Sequence, residues 1–292
     1  MSFNQNNSLP KKYDIIFLGL AQNCEQHIDK FFNIIEILSN KLKLYVMIGE
    51  NNSNDFTFDK IKKFQNKTKV DFKFVDTTFI EQYSDRIKRL ASARQKLKQN
   101  IFDLKIESDY VCVVDLDDVL NNNFNDKLIY SLVEILKINQ LKYFAVSLSS
   151  KPYYYDILNF ESSEFPNLNI KQLQNNRTLN SYTNRKKYIY DVQKKISQKK
   201  NFECISAFNG LCLYIYEDFI KSSYLEDSID VTPEHLYLNR NINKVSNKLI
   251  LVTDFYLQMP NEHKPIGNII SFLFEKIFKF ASIFIQKVFK NE

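Results

Sequence analysis

Residues 109–120 read DYVCVVDLDDVL, and the rest of the chain is organised around them. Positions 111–114 are apolar, mostly β-branched, and bounded by acids, which predicts a buried parallel strand. The strand is followed by three carboxylates within four positions: Asp115, Asp117 and Asp118. Because open α/β sheets bind ligands at the carboxyl ends of their strands, this strand end is a candidate site.

The spacing of the acids indicates a cation. Asp115 and Asp117 lie on the same side of an extended chain, because side chains there alternate with a period of two. Two such carboxylates repel each other unless a cation lies near them. Mg²⁺ and Mn²⁺ often use one or two carboxylates plus substrate phosphates, so we expect such a metal and a phosphate-bearing substrate. The alternative is a polar turn in which Asp118 or Asn121 caps the next helix.

Composition limits the class of protein. The 292 residues are 44% hydrophobic, which suits a globular protein with a substantial core. Only 4 residues are glycine, which argues against a glycine-rich phosphate loop. A net charge of +6 suits a polyanionic substrate or an anionic membrane surface, but is too small to require nucleic acid. The four scattered cysteines are expected to be reduced core thiols of a cytoplasmic protein.

Strands and helices alternate through the first half of the chain. Residues 1–12 are expected to be a polar lead-in without a signal peptide. Strands are predicted over 13–20, 42–48 and 70–75, with helices between them and short connections. This order predicts an α/β protein with a mostly parallel sheet and helices on both faces. The polar run 49–55 follows the second strand, so it serves as a turn and also lies where a ligand would bind.

Arg94 falls inside the apolar stripe of a helix predicted over 81–101. A guanidinium that faces the core needs an anionic partner, since an unpaired buried charge is costly. That partner is either a core acid in an internal ion pair, or a phosphate or metal-site carboxylate, and the sequence leaves both open. Arg86 and Arg89 are expected in solvent, although either can reach a diphosphate.

The second half is less regular. Residues 150–200 are rich in Tyr, Asn and Lys without periodicity, which predicts a lid or a disordered insertion. The apolar run 202–216 is interrupted at Asn209-Gly210, which predicts a bulge or a close backbone approach to a ligand. Glu234 opens a short helix, where it is either structural, at the positive end of the helix dipole, or a general base. A last strand is predicted over 249–256.

Four stretches, in this order, resemble nucleotide-sugar-dependent glycosyltransferases of the GT-A fold: ENNSND (50–55), RLASAR (89–94), DLDD (115–118) and AFNGL (207–211). Glu234 and His235 follow them. The similarity is to capsule-type transferases, including the fungal capsule-associated mannosyltransferases, and covers residues 13–263. It implies a GT-A catalytic domain that uses a nucleotide-sugar donor and a glycan or lipid-linked acceptor in surface polysaccharide synthesis.

The resemblance assigns donor-side roles. It implies that Asp115 and Asp117 bind the nucleotide and a Mn²⁺ or Mg²⁺ cofactor, with His263 as a third metal ligand. Other donor-side positions follow from it: Asn23 and Glu50 near the base and ribose, then Asp55, Arg86 and Arg94, and Asn209 and Gly210 near the donor sugar or acceptor.

The resemblance also assigns the chemistry. Glu234 matches the acid that deprotonates the acceptor hydroxyl in inverting members, with His235 beside it as a catalytic residue or an alternative metal ligand to His263. One departure concerns Gln95, which stands where these enzymes usually have Asn after the arginine of the basic helix. That neighbourhood therefore says little about the choice of sugar.

Two other functions fit parts of the sequence. Residues 114–119 also resemble the nucleophile motif of haloacid-dehalogenase-like phosphatases, in which Asp115 would be phosphorylated and Asp117 would act as the acid. That motif usually lies on the first strand, whereas three strand-helix units precede it here. The other alternative is a non-catalytic protein that binds sugars or membranes.

Residues 266–290 have an amphipathic pattern rich in Phe, with Lys on the polar face. The interspersed charges make a spanning helix unfavourable, whereas a helix in the membrane interface has this composition. We therefore expect a cytoplasmic protein attached peripherally to the anionic inner face through residues 264–292. The alternative is that this helix packs on the sheet or forms a dimer contact.

Overall fold

The computed structural model describes residues 11–120, 123–166, 183, 186–225, 232–245 and 248–264. The strands in these ranges are β1 (Lys11–Ala21), β2 (Leu44–Glu50), β3 (Asp71–Asp76), β4 (Ile106–Asp115), β5 (Tyr143–Lys151), β6 (Phe202–Cys204), β7 (Leu211–Ile215) and β8 (Lys248–Gln258). The α-helices are α1 (Ile28–Ser39), α2 (Thr57–Lys67), α3 (Arg86–Asp103), α4 (Asp126–Asn139), α5 (Asp191–Gln198), α6 (Tyr216–Lys221) and α7 (Glu234–Val245).

Within the described residues, the strands form one eight-stranded sheet in the order β3-β2-β1-β4-β7-β5-β8-β6. The pairs β1–β2, β2–β3, β1–β4 and β5–β8 are parallel, while β7 runs antiparallel between β4 and β5, and β6 runs antiparallel to β8. The prediction of an α/β protein with a mostly parallel sheet is therefore confirmed.

Helices cover both faces of the sheet. Side chains from successive strand positions point to opposite faces, so each face forms an apolar core with its own helices. One apolar core includes Phe17 of β1 with Phe31 of α1 and Leu132 of α4. The opposite core joins Leu18 of β1 with Leu97 of α3. This double layer matches the predicted arrangement, and it buries the first half of the sheet from both sides.

The apolar run 202–216 has the pattern of a strand with a break at Asn209-Gly210, but it forms two separate strands. It contributes β6 at one edge of the sheet and β7 between β4 and β5, and then enters α6. Gly210 has a φ of +84°, which regular strands do not use, so the chain turns there between the two strands. The described parts of the segment 150–200 include α5 and a π-helical turn at Lys186–Tyr190.

The four cysteines are free and buried, as their scattered positions predict. None of the helices in the described ranges is both long and apolar enough to cross a bilayer. Residues 1–10, Asn121 and the helix predicted over 266–290 lie outside the described residues.

Candidate active site

A cleft of about 1190 Å³ opens at the carboxyl ends of β1, β2 and β4. The parallel register places Leu20 beside Asp115, and Ala21 beside Glu50, so the loops after these strands start at the same edge. The opposite side of the cleft is formed by residues after β5 and by the beginning of α7. Polar loop residues and charged helix residues are thereby brought together from distant parts of the sequence.

Close packing fixes the acidic turn after β4. A Cβ atom added to Gly19 would lie 2.7 Å from Leu116 Cδ1, so the absence of a side chain at Gly19 lets Leu116 pack against β1. Leu116 is buried, whereas Asp115 and Asp117 on either side of it line the cleft. Asn125 caps α4, because its Oδ1 accepts a 3.0 Å hydrogen bond from Leu128 N–H. The alternative in which Asp118 caps this helix is therefore excluded.

Arg94 pairs with two acids from different parts of the chain. Its Nη2 lies 2.9 Å from Asp115 Oδ1, and its Nε lies 3.4 Å from Glu234 Oε1. The Arg94 guanidinium also lies over the Phe208 ring, with its carbon 5.4 Å from the ring centroid. Burial lowers the pKa of Arg94, but Asp115 and Glu234 more than offset it and leave that pKa raised. The arginine is thus a permanent cation at the centre of the cleft wall.

Glu234 begins α7 and is only 5% exposed. Burial raises the pKa of its carboxyl, against the lowering effect of Arg94. His235 is fully buried, and its ring stacks on Phe208 with the centroids 3.5 Å apart and the planes at 6°. Neither ring nitrogen has a hydrogen-bond partner among the described residues, and burial lowers the pKa of His235 well below its ordinary value. The imidazole is therefore neutral and packs as an aromatic ring.

Asn209 and Gly210 are not among the lining residues of the cleft, but they form hydrogen bonds to residues that are. Asn209 Oδ1 accepts hydrogen bonds from the backbone N–H groups of Tyr155 (3.0 Å) and Asp156 (3.2 Å). Gly210 O accepts a 2.8 Å hydrogen bond from Asp115 N–H. This pair therefore positions both the end of β4 at Asp115 and the loop after β5.

Asp156 lies in the cleft, although nothing in its sequence context marked it as a site residue. Burial raises the pKa of its carboxyl to about 7, with added contributions from Glu234 and Asp115, while the hydrogen bond from Asn159 lowers it. Its only local signal is its place after three consecutive tyrosines in the loop that follows β5. The cleft is thus lined by four acids: Asp115, Asp117, Asp156 and Glu234.

Three polar residues of the predicted donor side brace the loops after β1 and β2. Asn23, at φ 53°, accepts a 2.8 Å hydrogen bond from Asn54 N–H through Oδ1. Glu50 is 5% exposed, and its Oε1 accepts from Ser53 N–H at 2.7 Å. Asp55 accepts from Thr57 N–H at 2.9 Å and from Glu25 N–H at 3.1 Å. These side chains hold the loop backbone in place and are not among the lining residues of the cleft.

The arginines at the start of α3 do line the cleft. Arg86 and Arg89 both face it, and Arg89 Nε is buried without a hydrogen-bond partner among the described residues. Arg86 also lowers the pKa of Glu234, so its charge acts at the same wall. The sequence predicts both arginines in solvent. In the structure they line an open cleft.

The residues predicted to bind metal all line the cleft, but in different settings. Asp117 is exposed, and its Oδ1 accepts a 3.2 Å hydrogen bond from Val119 N–H. His263 is exposed and stacks on Tyr155 with the ring centroids 5.1 Å apart. In the described ranges, no three His, Cys, Asp or Glu side chains form a group that could hold an ion. The donor set of Asp115 and Asp117 fits Mg²⁺ or Mn²⁺ whose remaining ligands come from a substrate diphosphate.

No protein-family model and no curated protein matches this sequence. Among solved structures, the mannosyltransferase PcManGT from Pyrobaculum calidifontis, determined with GDP-Man and Mn²⁺, is similar with a TM-score of 0.53 and 12% identity. The match covers 87% of this chain and 60% of that one. The fold is GT-A.

Two further similar structures have TM-scores below one half. Residues 1–349 of TarS from S. aureus match with a TM-score of 0.47 and 12% identity, over 84% of this chain and 59% of that chain. Glucosyl-3-phosphoglycerate synthase from Mycobacterium tuberculosis, determined with Mg²⁺ and UDP, matches with a TM-score of 0.45 and 10% identity, over 85% and 70%. The present GT-A chain thus spans about 60% of the length of the mannosyltransferase and of the TarS fragment.

Proposed function

We propose that this chain is a glycosyltransferase that moves a sugar from a nucleoside-diphosphate donor to a glycan or lipid-linked acceptor in surface polysaccharide synthesis. One observation carries the proposal: Asp115, Asp117, Arg94 and Glu234 meet in one cleft at the carboxyl ends of the GT-A strands. The similar mannosyltransferase was determined with GDP-Man and Mn²⁺, which supports a nucleotide-sugar donor.

In this proposal, Asp115 and Asp117 would hold Mn²⁺ or Mg²⁺ together with oxygens of the donor diphosphate. His263 lines the same cleft, but it forms no three-ligand group with the two acids in this structure, so it is not assigned as a third ligand. When bound, the ion neutralises charge that develops on the departing diphosphate. Arg86 faces the same cleft and adds positive charge on the donor side. Asn23, Glu50 and Asp55 keep the loops after β1 and β2 in the shape that receives the base and ribose.

Glu234 is proposed as the base that takes the proton from the acceptor hydroxyl. Its burial at the start of α7 raises its pKa, which makes the carboxylate a better proton acceptor. Arg94 holds Glu234 and Asp115 on one guanidinium and so orients both. His235 contributes by packing on Phe208 beneath this pair, which keeps water away from the acid.

A screen of UDP-, GDP- and CMP-sugars for metal-dependent hydrolysis tests the proposal. We expect one nucleotide class to release its sugar with Mn²⁺ or Mg²⁺ present, and chelation with EDTA to stop the release. Arg240→Gln is a suitable control, because Arg240 pairs with Glu161 and does not line the cleft. Absence of hydrolysis and of binding for every donor, or a covalent phosphoenzyme trapped by acid, would contradict the assignment.

A further inference from the structure

The β5 side of the cleft contains acceptor oxygens that the roles above do not use. Asp156 is partly exposed there. Its Oδ2 accepts a 2.8 Å hydrogen bond from Asn159 Nδ2. A carboxylate has about four lone-pair sites, so Asp156 retains capacity to accept hydrogen bonds from a ligand.

Gln193 adds a second acceptor to the same side. Its side chain lines the cleft and the residue is only 3% exposed. Because Nε2 donates a 3.0 Å hydrogen bond to Tyr155 O, the amide orientation is fixed and Oε1 is the free end. Oε1 has no hydrogen-bond partner among the described residues. A buried amide oxygen without a donor is unfavourable, so a ligand that donates a hydrogen bond here would be stabilised.

The neighbouring wall is apolar. Leu158 is 36% exposed, and Ile189 and Tyr190 line the cleft beside it. Oxygen acceptors next to an apolar wall fit a sugar, whose hydroxyl groups donate hydrogen bonds while its C–H face packs on apolar side chains. A phosphate group would instead meet the carboxyl group of Asp156, which repels an anion when it is ionised.

A hydrogen-bond relay connects Asp156 to the helix that carries Glu234. Asn159 donates to Asp156 and, through its Oδ1, accepts a 3.1 Å hydrogen bond from Leu236 N–H in the first turn of α7. The Asn159 backbone carbonyl also accepts a 2.7 Å hydrogen bond from Ser206 Oγ. Asp156 is therefore held in a fixed relation to the start of α7.

From these contacts, and resting on the proposed function, we infer that Asp156 positions the acceptor by binding its hydroxyl groups, and that the acceptor end is a neutral saccharide. Asp156 then acts beside Glu234, with Gln193 as a second hydroxyl-binding residue.

Ligand-observed saturation-transfer NMR with methyl glycosides of neutral hexoses tests this inference, with a nucleoside diphosphate and Mg²⁺ present. Asp156→Asn keeps the shape but removes the charge and replaces one acceptor oxygen with a donor. We expect the glycoside affinity to fall by about tenfold or more, the usual effect of losing a hydrogen bond to a charged group. Asp191→Asn, which changes an exposed acid in α5 outside the cleft, should leave the affinity unchanged.

The same samples separate this inference from the proposed function. Calorimetric binding of the nucleoside diphosphate reports the donor side and shows that Asp156→Asn is folded, so it should equal the wild-type value. If the wild type binds no nucleotide, the proposed function fails and the inference fails with it. If nucleotide binds normally, three results overturn the inference alone: no methyl glycoside binds, Asp156→Asn binds it equally well, or a hexose 6-phosphate binds as tightly as the neutral hexose.

Discussion

At the scale of single residues, Arg94 determines the electrostatics of the cleft. It is 5% exposed and bonds to both Asp115 and Glu234, which come from β4 and α7. Breaking a buried ion pair leaves an uncompensated charge and costs more than the pair itself contributes. Replacing Arg94 would therefore leave Asp115 and Glu234 without the cation that they share.

Glu234→Gln tests the role of the base. Gln retains an oxygen that can accept from Arg94 Nε but cannot take up a proton, so the geometry should persist. We expect kcat to fall by about 10²–10⁴-fold with unchanged donor affinity, the usual contribution of a general base. Steady-state kinetics with saturating donor measure this effect.

The matched control is Glu161→Gln, since Glu161 pairs with Arg240 and is not among the lining residues of the cleft. It should turn over at nearly the wild-type rate. A similar rate in Glu234→Gln would point to another base or to a retaining mechanism.

Asp156 predicts a pH dependence of stability. Its folded-state pKa is raised to about 7 by burial and by Glu234 and Asp115, from an ordinary value of 3.8. Between these two pH values the folded state binds more protons than the unfolded state, so stability falls as the pH rises. This contribution is favourable below pH 3.8, is lost progressively on approaching pH 7, and stays constant above that.

Asp156→Asn removes this titration. Denaturant unfolding at pH 5 and pH 8 should show that the stability of the variant, relative to the wild type, is greater at pH 8. An equal difference at both pH values would show that Asp156 does not titrate between them in the folded protein.

At the scale of elements, the connection into β7 sets the position of the acidic motif. Gly210 has a φ of +84°, and a Cβ atom there would lie 3.0 Å from Tyr155 Oη and 3.1 Å from Val119 Cγ2. Its carbonyl accepts a hydrogen bond from Asp115 N–H. The backbone conformation of Gly210 therefore keeps the start of β7 close to the end of β4 and to the loop after β5.

Gly210→Ala should destabilise the protein by about 1 kcal/mol or more, because Ala disfavours positive φ and its methyl group would contact Tyr155 and Val119. Chemical denaturation measures the change, with Gly267→Ala, outside the described residues, as the comparison variant. A Gly210→Ala protein as stable as the wild type would contradict the strain assigned to this turn.

The sequence predicted elements better than it predicted their partners. The apolar strands of the first half are local patterns, and β1, β2 and β4 form near the expected positions. The division of 202–216 into β6 and β7 depends on which distant strand each half pairs with, and periodicity carries no such information.

The same limit applies to the site. Asp115 and Asp117 stand out because their spacing is local. The positions of Asp156 and Gln193 depend on hydrogen bonds to Asn209, Asn159 and the Tyr155 backbone. Several of these partners are distant in the sequence and are brought together only by the fold. Arg94 is intermediate: its place in an apolar stripe predicted an anionic partner, but the identity of that partner required the three-dimensional structure.

At the scale of the whole molecule, the GT-A sheet gathers residues 20 to 264 around one cleft. The C-terminal residues that follow lie outside the described part of the chain, and we propose that they attach the protein to the anionic cytoplasmic membrane face. Their amphipathic pattern and lysines support this, since each Lys near an anionic surface contributes about 1 kcal/mol.

Deleting residues 266–292 should release a folded protein from anionic liposomes in a sedimentation assay, while nucleotide binding persists. The full-length chain on neutral liposomes is the control, and it should bind less. A truncated protein that still sediments, or that unfolds, would place the helix against the domain instead.

We propose that the cleft binds a nucleotide through a metal at Asp115 and Asp117. Calorimetric titration with UDP and GDP measures the nucleotide affinity directly, first with Mn²⁺ and then with EDTA. The proteins compared are the wild type, Asp117→Ala and Asp118→Asn. Asp118 serves as the control, because it is next to Asp117 in the sequence but does not line the cleft. We predict metal-dependent binding that Asp117→Ala abolishes and Asp118→Asn retains. Unchanged nucleotide affinity in Asp117→Ala with Mn²⁺ present would contradict this metal-dependent mode of binding.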